Sequence, residues 1–64
     1  MLINIDSKRK SMNFSTSTLA RKLNISTRRL DKWINCTEAI PANKLIEMSQ
    51  IFGGCSIDYL LVRN

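Results

Sequence analysis

Residues Ser15 to Asn35 read STSTLARKLNISTRRLDKWIN, and the reading of this stretch decides the fold. Leu19, Ala20 and Leu23 recur on one face of a helix, which predicts a helix from about Thr16 to Leu23. Ser15 offers a hydroxyl to cap its first turn, and Phe14 just before it can staple back onto Leu19. Asn24 follows at once. Asparagine is the residue other than glycine that best tolerates a left-handed backbone, so a tight turn here needs no glycine. Ile25 plugs the angle, and either Ser26 or Thr27 caps a second helix that runs from about Thr27 to Asn35.

The second helix has a definite orientation. Leu30, Trp33 and Ile34 make its inward face, and at about 100 degrees per residue the side chains pointing most directly away are Arg28, Lys32 and Asn35. Asp31 and Arg29 flank that row on opposite sides. Two short helices joined by a turn too brief to be a linker make a helix-turn-helix plan. Cations on the outward ridge, with small hydroxyl residues at the helix start, suit a major groove, where helix N-terminal residues approach base edges.

Charge agrees with an anionic partner. The chain of 64 residues has a net charge of +5, and residues 1–35 hold eight Lys/Arg against two acids, whereas residues 36–64 hold two against three. The positive field is therefore built into the first half, and a charge of this kind fits nucleic acid, a membrane surface or an acidic protein. No apolar run approaches the roughly 20 residues that span a bilayer. In MLINIDSKRK the charges follow the apolar residues, the reverse of a signal peptide, so a soluble cytoplasmic protein with no membrane association is expected.

Outside the central stretch the pattern is simpler. Ile5 and Met12, seven apart with Lys8 between them, fit a first helix whose lysine stem covers apolar surface; the alternative is a short strand over Leu2 to Ile5. The Lys8-Arg9-Lys10 cluster is either a phosphate-touching group or a solvated basic end. Ile40-Pro41 closes a loop from Cys36, and Leu45, Ile46, Met48, Ile51 and Phe52 mark a helix from Ala42 or Asn43 to Phe52, stopped by Gly53-Gly54. Ser56 caps a last helix with Asp58 in its first turn and Ile57, Leu60 and Leu61 on its apolar face. No repeat or low-complexity tract interrupts the chain, and one domain over residues 1–64 is expected.

These residues together resemble the lambda-repressor-like (Cro/repressor, XRE-type) helix-turn-helix proteins of phages and bacteria. The matching pieces are LARKLNIS at 19–26, Leu30 and Trp33, Asn35, Ile40-Pro41, KLIEMSQIF at 44–52 and SIDYLL at 56–61, in the right order and spacing. The resemblance implies an all-α bundle of four or five short helices. It also implies that Thr16 and Asn35 contact backbone phosphate, and that Ser26, Thr27, Arg28 and Lys32 reach bases or nearby phosphates. Against the family pattern, Thr16 stands where glutamine is usual, Asn24 and Cys36 where glycines are usual, and Lys8 where an aliphatic residue is usual. Gly54 looks like a one-residue insertion.

Residue chemistry refines the roles. Arg28 carries a fork that matches O6 and N7 of guanine, Lys32 suits a base or a phosphate, and Arg29 points sideways toward phosphate. Asp31 repels the DNA backbone unless it holds Arg28 in place or accepts from a cytosine amino group. Leu19, Ala20, Leu23, Ile25, Leu30 and Trp33 are core. No enzyme is expected: histidine is absent, the five acids are scattered and no glycine-rich phosphate loop exists. No cofactor or small-molecule substrate is expected, and Cys36 and Cys55 without histidine cannot supply four zinc ligands. They are read as reduced thiols, a redox-sensing disulfide being the alternative. The expected partner is double-stranded operator DNA, bound by a homodimer that pairs through Ile57 to Val62, with control by abundance in the manner of a Cro-like repressor. The competing reading is a protein-binding module, such as an antirepressor docked on another regulatory protein; salt-dependent duplex binding separates the two.

Overall fold

The computed structural model describes residues 1–63, and among them the chain forms five helices with no strand: α1 (Ile3–Ser11), α2 (Thr16–Lys22), α3 (Thr27–Ile34), α4 (Ala42–Ile51) and α5 (Ile57–Leu60). This is the all-α class and the upper of the two helix counts expected. Helix starts follow local chemistry. The hydroxyls of Ser15, Ser26 and Ser56 each accept a hydrogen bond from the backbone N–H three residues on, at 3.1 Å, which satisfies one of the donors a helix start leaves free. Leu23, Asn35 and Phe52, expected as last helical residues, are instead C-caps one position beyond.

Helix ends follow one recurring device. After α1, α2, α3 and α4 the chain turns through a residue of positive φ: Asn13 (59°), Asn24 (56°), Cys36 (62°) and Gly53 (85°). At each, paired bonds close the turn, as in Thr37 N–H to Lys32 O (2.9 Å) with Cys36 N–H to Trp33 O (3.1 Å). This is the Schellman arrangement, which satisfies carbonyls that the helix leaves orphaned. Three of the four use a residue with a Cβ. Asn24 adopts the left-handed turn expected of it. Cys36 keeps the left-handed geometry even though it stands where glycine is usual, so the end of α3 is preserved at the expense of some backbone strain.

The core gathers Ile5, Leu19, Leu23, Leu30, Trp33, Met48 and Leu60, all fully buried, with Phe14, Ile25, Ile40 and Ile51 packed against it. α1 and α2 both lie on α3, and α5 joins α4 to α1. No polar or charged residue is wholly buried among the described residues, as a small domain with little apolar area to spare requires.

α1 resolves the two readings of the N-terminal segment in favour of helix. Strand character is confined to Leu2, which forms an isolated bridge with Arg63 and donates its N–H to Ile34 O at 2.8 Å. Met12, paired with Ile5 in the expected helix face, lies past the end of α1 and is exposed, because the helix stops at Ser11. Lys8 is half-buried, and its Nζ stands 5.9 Å from the centre of the Tyr59 ring.

Candidate nucleic-acid interface

Bonds within the turn and one contact from outside the motif fix the angle between α2 and α3. Within the turn, Asn24 N–H donates to Arg21 O and Ile25 N–H to Ala20 O, which folds Ile25 against the core. From α4, Lys44 Nζ donates to the Leu23 carbonyl at 2.7 Å and pairs with Glu47 at 3.3 Å. That carbonyl belongs to the C-cap of α2, so a cation there also meets the negative end of the helix dipole. Sequence reasoning missed this contact, since nothing local marks a bond across 21 positions.

Ser26, not Thr27, caps α3: its Oγ accepts from Arg29 N–H. Its hydroxyl proton is left to donate, while Thr27 one residue on is exposed with its side chain free of hydrogen bonds among the described residues. The buried face of α3 is Leu30, Trp33 and Ile34, as its spacing predicts. Arg28, Lys32 and Asn35 are all exposed and lie on the opposite side. Neither Arg28 nor Lys32 has an ion-pair partner among the described residues, so both present a full charge outward.

Arg29 differs from them. On the flank of α3 its Nε lies 3.6 Å from Glu38 in the loop that follows. Thr16, the first residue of α2, is half-buried beside the serine cap. The seven candidate residues are therefore brought to the start of α2 and the outward side of α3, with Arg29 at the margin.

The basic cluster of α1 is broken up by its own contacts. Arg9 donates through Nε and Nη2 to Asp6, at 3.1 and 2.9 Å, and through Nη1 to Phe14 O at 2.8 Å. Lys10 also reaches Asp6, at 3.2 Å. The Arg9 hydrogen bond, aided by Lys10 and opposed by partial burial, holds the Asp6 carboxyl below its ordinary range. Arg9 is thus a tie between α1 and the entry to α2. The i, i+3 spacing of Asp6 and Arg9 was the signal available for it.

Behind α3 lies an open cleft of about 320 Å³, lined by Leu2, Trp33, Cys36, Ile40, Leu45 and Leu61 among others. Trp33 Nε1 is buried without a hydrogen-bond partner among the described residues, which marks the tryptophan as a packing residue. Cys36 and Cys55 are both free thiols. No helix of the described residues is long and apolar enough to cross a membrane.

A capped, cationic, outward-facing helix held at a fixed angle by a turn and a preceding helix defines a helix-turn-helix domain of the DNA-binding class. The chain belongs to the XRE-type, lambda-repressor-like helix-turn-helix family: the family model HTH_3, described as Helix-turn-helix, matches residues 5–60. No curated protein and no solved structure matches the chain. Members of this family are DNA-binding transcription regulators, not known as enzymes, and the protein is accordingly a regulator that binds double-stranded DNA.

Proposed function

We propose that the protein is a sequence-specific, Cro-like repressor of phage, prophage or bacterial origin that acts in the cytoplasm on a pseudo-palindromic operator as a homodimer. The observation that carries this reading is the exposed row of Arg28, Lys32 and Asn35 on α3, opposite a face locked inward by Leu30 and Trp33. In this reading Ser26, Thr27, Arg28 and Lys32 meet base edges, Arg28 by pairing its fork with guanine. Thr16, Arg29 and Asn35 meet phosphates and set the register. Half-sites one helical turn apart, roughly 34 Å, receive the two copies of α3.

Pairing of two chains is supported by apolar surface at the C-terminal end. Tyr59, Leu61 and Val62 are 37%, 42% and 44% exposed, although Leu60 beside them is fully buried. Apolar side chains grouped in this way favour a partner surface.

Selection from random duplexes tests the proposal. The wild-type protein is expected to enrich an inverted repeat, with affinity that falls steeply with salt. Arg28→Ala is expected to lower affinity for that site and relax its guanine preference. Failure of the wild-type protein to enrich any site at low salt sinks the reading and favours a protein-binding role.

A further inference from the structure

Four of the five acidic side chains are accounted for by the fold. Asp6 is held by Arg9 and Lys10, Glu38 by Arg29 and Glu47 by Lys44, while Asp58 sits in the first turn of α5, where the helix dipole favours a negative charge. The fifth is Asp31. Among the described residues its exposed carboxylate has neither an ion pair nor a side-chain hydrogen bond.

The structural uses of an acid at this position are taken or refused. Arg28, three residues earlier, does not reach it, so Asp31 does not hold the guanine-matching fork. The start of α3 is already capped by Ser26. In the second half of an eight-residue helix, a negative charge opposes the dipole instead of complementing it. Facing DNA, an unmatched carboxylate also repels phosphate. The fold gains nothing from Asp31, and general affinity loses by it.

Its position supplies a use. At about 100 degrees per residue, Asp31 falls on the same edge of the outward face as Thr27, the edge away from Arg29 and its Glu38 partner. A carboxylate only accepts hydrogen bonds. In the major groove guanine and thymine offer it acceptors, and adenine sets N7 beside its amino donor; cytosine alone presents an N4 amino group with no acceptor of its own beside it. A lone carboxylate therefore rewards one base and penalises three.

We propose that Asp31 is a specificity-determining residue that accepts a hydrogen bond from cytosine N4 within each half-site. This rests on the sequence-specific reading above and adds a residue and a base to it. Asp31 thereby trades general affinity for discrimination.

The test is parallel selection from random duplexes with wild-type protein, Asp31→Ala and Asp31→Asn, each checked for helical content. The wild type is expected to enrich cytosine at one position per half-site, by roughly five- to tenfold over the other bases. Asp31→Ala should lose that preference while binding unrelated duplexes more tightly, and Asp31→Asn should move it toward adenine, which the asparagine amide matches. If Asp31→Ala enriches the wild-type motif with unchanged base frequencies, the assignment is overturned, while the Arg28 scheme stands on its own result. If the wild type enriches nothing, the sequence-specific proposal falls and takes the Asp31 assignment with it.

Discussion

The ammonium of Lys44 donates to the carbonyl oxygen of Leu23 at 2.7 Å, so the first turn of α4 holds the last turn of α2. The lysine side chain is only 20% exposed, and Leu23 is fully buried. A charge-assisted bond in such surroundings is worth about 1.5–3 kcal/mol, and its loss leaves a carbonyl without its partner. Lys44→Met keeps the apolar stem and removes the donor. It is expected to destabilise by about 1–2 kcal/mol, lowering the thermal midpoint by about 4–16 °C for a domain of this size. Glu47→Gln, which removes only the more exposed ion-pair partner, should cost under about 0.5 kcal/mol. Equal effects of the two substitutions would show that the ion pair, not the capping bond, matters.

Cys36 stands in the left-handed region at φ 62°, directly after Asn35, the C-cap of α3. That conformation costs an L-residue about 1–2 kcal/mol, and glycine removes the cost while adding back about 0.5–1 kcal/mol of chain entropy. Cys36→Gly is therefore expected to stabilise by about 0.5–1 kcal/mol in urea unfolding. Cys36→Val should destabilise, since a β-branched side chain is least tolerated there. Stabilisation by valine would mean that packing in the cleft behind α3 outweighs the backbone.

What could be read from the sequence was local. The serine caps, the inward face of α3 and the turn at Asn24 each rest on chemistry within four residues, and all are present. α1 was ambiguous because Leu2 supplies no capping side chain and cations occupy much of its length. Asn13 carries the same left-handed signal as Asn24, but the weak apolar pattern of α1 leaves the end of that helix undefined in the sequence. The bonds from Lys44 to Leu23 and from Leu2 to Ile34 join residues 21 and 32 positions apart, a difference of numbers that carries no pattern. For the interface, helical spacing gave the outward row, whereas the diversion of Arg29 to Glu38 and the bond from Arg9 to the Phe14 carbonyl needed three dimensions.

Acid should weaken the domain in a defined direction through Asp6. Its carboxyl is held below the ordinary range by Arg9, so the folded state binds a proton less readily than the unfolded chain. A depressed carboxylate contributes fully above the unfolded value of about 3.9 and is lost as pH falls through the lower, folded value. Asp6→Asn is expected to cost stability at pH 7, with the gap from wild type narrowing steadily below about pH 4. Urea unfolding at pH 7 and pH 2.5 measures it. A gap that stays constant would assign the effect to packing instead of charge.

On the proposed role of Arg29 at a phosphate, Glu38 competes with DNA for its guanidinium. The pair spans 3.6 Å with side chains 57% and 38% exposed, so it is weakly held in water and can open when phosphate approaches. In the free protein Glu38 already neutralises Arg29, and transferring Arg29 to a phosphate leaves the carboxylate to recruit a cation of its own. That cation offsets the one released from DNA. Glu38→Gln removes the offset, and is expected to raise duplex affinity at low salt and steepen the slope of log K against log salt by about 0.9, the value of one added phosphate contact. In an Arg29→Gln background the same change should leave the slope where it was, since no competing cation remains for Glu38 to hold. A steeper slope in both backgrounds would show that Glu38 acts as a general repulsive charge. No change in either would place Arg29 away from the phosphates, leaving Lys32 and Arg28 to supply the positive charge of α3.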